Sequence, residues 1–162
     1  MSRLIQDCSR SFSRRDIDGD GELFDKIIRD NPKAKHIIIV MKYKELANGC
    51  VIHYGNTEGC DYMKGENIVI VGTPHYNEMV YKRFAAHLGV EVDAKMKFLE
   101  VEDECYKYWL HTYEKPVLRK IQLWILKAEF NQAVGRARLL IYKDIVNLCA
   151  SIPLPPRQRL RT

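Results

Sequence analysis

The chain has 162 residues, 46% of them hydrophobic and 29% charged, with a formal net charge of +5. That length suits one domain whose core needs neither disulfides nor a structural metal. No apolar run reaches the roughly eighteen residues of a membrane span, and residues 1–15 lack the apolar stretch of a signal peptide, so a cytoplasmic protein with no membrane partner is expected.

Residues 1–21 are polar, rich in Arg, Ser and Asp, and read as an arm or loop. Residues 22–30 carry Leu23, Phe24, Ile27 and Ile28 at helical spacing and predict a short amphipathic helix, stopped by Asn31-Pro32. His36 to Met41 is a β-branched apolar run of the kind buried on both faces of a parallel sheet. Cys50 to Tyr54 and Asn67 to Val71 predict two more strands, the latter ended by Gly72-Thr73-Pro74. Residues 77–89 predict a helix capped at Gly89. Residues 92–116 alternate in part and then turn aromatic, which fits a hairpin or a strand–helix insertion. After Pro116, Leu118, Ile121, Trp124, Ile125, Ala128 and Gln132 predict a helix over 117–135. Residues 144–149 make the last strand. Strands alternating with helices point to an α/β fold with a mostly parallel sheet. The domain is expected over 36–155, with an N-terminal segment 1–35 and a basic tail, 156–162, holding Arg157, Arg159 and Arg161. Together with Arg14 and Arg15, that tail is weakly suggestive of a polyanion partner.

Two segments carry chemistry. Gln132-Ala-Val-Gly-Arg-Ala-Arg138 ends the long helix and closes in a glycine turn at Gly135. Arginine is planar, permanently charged and bidentate toward phosphate, so two of them at a helix end suit a phosphate grip; two solvated arginines beside an ordinary glycine cap are the plainer alternative. Upstream, Glu58-Gly-Cys-Asp61 precedes a short polar stretch, the apolar strand Ile68 to Val71 and Pro74. Glycine lets backbone approach a phosphate closely, and a carboxylate can orient a nucleotide hydroxyl or an arginine.

Together these segments resemble motifs VI and V of superfamily 2 helicases, in the right order, over roughly residues 36–155. His36 to Lys42 stands in the place of motif IV. The resemblance implies a RecA-like second lobe, a three-layer α/β unit with a central sheet. It implies that Arg136, with Arg138 and Gln132, meets the γ-phosphate of ATP, and that Asp61 and Gly135 help to hold the nucleotide. It implies that Gly59, Thr73 and His75 touch single-stranded nucleic acid, most naturally DNA. Arg138 stands one residue before the family's second arginine, whose place Leu139 takes. ATP and Mg²⁺ would be held mainly by a first RecA-like lobe, in cis or in trans, because no GxxxxGK[ST] loop occurs in the chain. The chain alone is therefore not expected to hydrolyse ATP. The alternative is a stand-alone nucleic-acid-binding or regulatory module derived from a degenerate lobe. Residues 92–116 would be a family-specific insertion.

Other features carry less. The cysteines Cys8, Cys50, Cys60, Cys105 and Cys149 are odd in number and scattered, which suggests free thiols. Cys50 and His53 have ligand-like spacing, but no second pair completes a metal site. Asp16-Ile-Asp-Gly-Asp-Gly-Glu22 imitates the start of an EF-hand loop, yet the twelfth position is Ile27 instead of a bidentate Glu. Asp103-Glu104-Cys105 imitates a DExx box but follows motif V instead of preceding it. His75 and Tyr76 carry rings able to stack on a base, beside an ordinary role in the loop.

Overall fold

The computed structural model describes residues 3–10, 12–39, 51–57, 59–103, 106–139 and 141–154, with the backbone alone at Arg14, Arg15, Asp18 and Val51. In chain order the elements are β1 (Arg3–Asp7), α1 (Arg14–Gly19), α2 (Leu23–Asp30), β2 (His36–Ile39), β3 (Val51–His53), β4 (Ile68–Val71), α3 (Glu78–His87), β5 (Met96–Asp103), β6 (Tyr106–Tyr113), α4 (Pro116–Gly135) and β7 (Ile145–Cys149). Lys42, Cys50, Glu58, Glu104, Cys105 and the tail arginines lie outside the described residues, as does the motif IV-like run after Ile39.

Five strands pair in the order β1-β7-β4-β2-β3, every pairing parallel. The β-branched runs explain the middle of the sheet. All four residues of β4 are fully buried, so both of its faces must be covered. Alternation then sorts the side chains. Ile38, Ile68, Ile70, Val146 and Leu148 pack with Leu126, Phe130, Ala133 and Val134 of α4. Ile39, Val69, Val71 and Cys149 pack with Phe12, Ile17, Leu23, Phe24 and Ile27 from the other side. The result is three layers, α1 and α2 over the sheet over α4. A third cluster, Tyr81, Ala85, Tyr113, Leu118 and Ile125, joins α3, the base of the β5–β6 hairpin and the start of α4.

Two expectations change. Residues 3–7 are not an arm but the edge strand β1, paired with β7 from Arg3↔Ile145 to Asp7↔Cys149. Its local pattern is too short and polar to announce a strand. Its order comes from long-range contacts, including the Gln6 amide. Gln6 Nε2 donates to the Leu154 carbonyl at 2.8 Å, and Oε1 accepts from the Leu154 N–H at 2.7 Å. Likewise Ser13 caps α1 by accepting from the Asp16 N–H. The second change is in α4, whose bounds agree with the expected helix but whose buried face does not. Trp124 is 65% exposed and meets Phe84 of α3 edge-on, while Leu123 and Leu126 take the sheet-facing positions. α4 touches both the sheet and α3, so no single stripe of period 3.6 describes it.

Residues 96–113 form the antiparallel hairpin β5–β6, one of the two forms expected there. It is bound to α4 at two points. Thr112 Oγ1 donates to Gln122 Oε1 at 2.6 Å, and Gln122 Nε2 donates to the His111 carbonyl at 2.9 Å. Lys127 pairs with Asp103 at 2.6 Å. Among the described residues no helix is long and apolar enough to cross a membrane.

Candidate functional site

The segments before β4 and before β7 meet at one edge of the sheet, because β4 and β7 are parallel neighbours in register, Ile68↔Val146. After β3 the chain descends to a single 3-10 turn at Asp61–Met63. Cys60 and Met63, three apart and therefore on one side of such a turn, are buried in the α4-facing core. That anchoring leaves Asp61 and Tyr62 outside, with Tyr62 60% exposed and edge-on to His36 at 5.4 Å. Gly59, just ahead, has φ +73°, the left-handed region that favours glycine.

The opposing segment is built by the same kind of anchoring. Val134, Ala137 and Leu139 point into the core, which turns Gly135 and Arg138 outward and leaves Arg136 half-buried. The tight turn expected at Gly135 falls later. Gly135 is the last residue of α4, and the residue with left-handed backbone is Arg138, at φ +51°. Its carbonyl accepts from the N–H groups of Ile141 and Tyr142, which closes the turn. Tyr142 then lies over Gly65, where a Cβ would stand 3.2 Å from its ring.

The two segments touch directly. Arg138 Nη2 donates to Asp61 Oδ1 at 2.8 Å, and the Gly65 N–H donates to the Ala137 carbonyl at 3.3 Å. Asn67 fastens the edge below them by accepting from the Ile145 N–H at 2.8 Å. Arg136 Nε is buried and has no hydrogen-bond partner among the described residues. Gln132 lies one helical turn before Arg136, on the same side of α4 by spacing. Gly59, Asp61, Gln132, Gly135, Arg136 and Arg138 thus belong to this one edge. Among the described residues, no group of three or more His, Cys, Asp and Glu side chains is placed to hold a metal.

Thr73 and His75 stand at the opposite edge, past the carboxyl end of β4. Thr73 is buried, its Oγ1 bonded to Ser151 Oγ at 2.7 Å and accepting from the Ser151 N–H. It binds β4 to the end of β7 and does not face solvent. His75 is exposed at the mouth of a cavity of about 630 Å³. Its pKa is lowered to about 4, first by desolvation and then by the charge of His111. Sequence reasoning did not single out the residues facing it, Phe98 and Trp109 of the hairpin. The available signal was their placement on the outward register of two alternating strands. Comparison with known proteins found no matching family model, curated protein or solved structure.

Proposed function

We propose that this chain is the second, RecA-like lobe of a superfamily 2 helicase or translocase, presenting Arg136 to the γ-phosphate of an ATP held mainly by a first lobe. One observation carries the reading. Two segments that resemble motifs V and VI, 77 residues apart at Asp61 and Arg138, are joined by a charged hydrogen bond at the same sheet edge. A phosphate-facing edge needs cations that are positioned before the nucleotide arrives. Asp61 positions Arg138, and Arg136 Nε has no partner among the described residues and could donate to a ligand acceptor. Mg²⁺ and the phosphate-cradling loop would come with the first lobe.

The test is reconstitution with the Walker A-bearing lobe encoded in frame with this chain or beside it. Nucleic-acid-stimulated ATP hydrolysis is expected from the pair and not from this chain alone. Turnover by the highly purified chain alone, or a pair insensitive to Arg136→Ala, overturns the proposal. One observation favours the second reading, a nucleic-acid-binding module without a motor role. Leu139, in the place of the family's second arginine, is a buried core residue. That reading expects weak, salt-sensitive binding of single strands, with Kd on the order of 10⁻⁴–10⁻⁶ M at physiological salt, and no partner lobe whose ATP turnover depends on Arg136.

A further inference from the structure

The edge of the sheet opposite Arg136 holds a groove. Two adjoining cavities of about 630 and 580 Å³ share Asp16, Phe98, Trp109 and Ser151 in their walls. One wall is the outward face of the β5–β6 hairpin. The other is the start of α1; buried Ser151 lies between them beyond the carboxyl ends of β4 and β7, with His75 at the mouth. The carboxyl ends of strands are a common place for ligand crevices in open α/β sheets.

Phe98 and Trp109 are the main apolar feature. They are diagonal neighbours across the hairpin, since Phe98 faces His111 and Trp109 faces Glu100 in the register. Their rings stack with centroids 5.4 Å apart and planes 21° from parallel. They nevertheless remain 59% and 54% exposed. A cross-strand aromatic pair stabilises a hairpin on its own, but that role asks for no second wall and no polar groups around it. Here the imidazoles of His75 and His111 converge on the same cavity. His75 is neutral near pH 7, because its pKa is held at about 4, so its ring offers one donor and one acceptor. Of the charged side chains nearby, Lys107 pairs with Glu102 at 3.7 Å and Arg10 with Asp20 at 3.0 Å, and Asp16 brings a carboxylate to both cavities, which disfavours an anion. A flat, uncharged group with hydrogen-bonding edges fits this wall better than a phosphate does. The platform is also rigid, through the Gln122–Thr112 and Lys127–Asp103 contacts to α4.

We propose that the groove binds a nucleobase, stacked on the Phe98–Trp109 pair and edged by His75 and His111. That the base belongs to a single strand, and not to a free nucleotide, rests on the reading of the chain as a helicase lobe.

The chain has two tryptophans, so Trp124→Phe leaves Trp109 as the sole reporter. Its fluorescence is titrated with a short oligothymidylate, with thymidine monophosphate and with ATP, while anisotropy of labelled oligothymidylate reports binding of the strand separately. Quenching by the oligonucleotide is expected. Removal of the stack by Trp109→Ala should weaken strand binding by about 5- to 150-fold. Trp109→Phe should restore most of the affinity, and the melting temperatures of both variants show whether folding is kept. Quenching by mononucleotide at equal affinity supports the base site and assigns it to a free nucleotide. If the strand binds but Trp109 is silent and Trp109→Ala binds equally well, the platform is wrong and the lobe reading is untouched. If neither strand nor nucleotide binds, the platform is likewise overturned, while Arg136 still has its own readout in ATP turnover.

Discussion

The two edges of the sheet are built by opposite means. At the edge before β4 and β7, small buried anchors point inward in each segment, Cys60 and Met63 in one, Ala137 and Leu139 in the other. The charged neighbours are thereby forced outward, and Asp61 meets Arg138. At the far edge Thr73 is used internally by Ser151, and the outward surface is an aromatic pair flanked by His75 and His111. One edge is electrostatic and local in sequence, readable as two short motifs. The other is a stacking surface assembled from α1, the end of β4, the hairpin and the end of β7. The lesson is that one fold can hold a charged pair and an aromatic pair apart at the two ends of the same strands.

The strongest way to break this comparison is at Arg136. Arginine fingers in phosphoryl transfer contribute about 10³–10⁵-fold in rate. Arg136→Ala in the two-lobed assembly is expected to cut ATP turnover on that scale with little change in ATP binding. Arg138→Ala should do less to turnover, and loss of its exposed pair with Asp61 should change stability by about 1 kcal/mol or less. Steady-state ATPase rates beside melting curves check both. A variant at Arg136 that melts early and turns over normally would show a structural arginine.

The far edge is tested next through its support. Gln122 is fully buried and bonded to both Thr112 and the His111 carbonyl. Gln122→Ala leaves those groups unsatisfied and should cost about 1–3 kcal/mol, read as a lower melting temperature and a more mobile Trp109 by fluorescence anisotropy. Turnover in the two-lobed assembly should survive it at temperatures where the chain stays folded. Equal loss at both edges would mean that they are mechanically one unit.

At the charged edge, Gly65→Ala puts a side chain on a residue with φ +77° and 3.2 Å from Tyr142. The ring is partly exposed and can give way, so the backbone term of about 1–2 kcal/mol dominates. Denaturant titration measures it, and an unchanged midpoint would remove Gly65 from the account of how the two segments meet.

The smallest effect is pH dependence at His75. Its folded pKa of about 4 lies below its ordinary 6.5, so the unfolded chain takes up its proton first as pH falls. The full stability is present above about pH 6.5 and is lost as pH falls from there toward 4. Solvent at the groove mouth screens part of the effect. His75→Gln should flatten that portion of the stability profile in acid titrations of the melting temperature. An identical profile in wild type and variant would show that the ring is not desolvated.

What the sequence determined by itself was the class of the sheet and the two polar segments taken singly. Runs such as Ile68–Val71 must be buried on both faces, whichever partners cover them, so a parallel sheet followed from composition alone. Glu58–Asp61 and Gln132–Arg138 are contiguous, so both polar segments could be picked out without a fold, but not that Asp61 would meet Arg138. Tertiary structure decided the rest. Residues 3–7 become β1 only because β7 and Leu154 supply their hydrogen bonds, and no local pattern can announce a partner some 140 residues away. Trp124 leaves the buried face because α4 serves two neighbours at once. The turn moves from Gly135 to Arg138 because Ala137 and Leu139 must reach the core, and their burial outweighs the strain of one left-handed arginine. The groove was invisible for the same reason. Phe98, Trp109, His75 and Asp16 come from separate elements, and only packing around a common core brings their side chains to one wall.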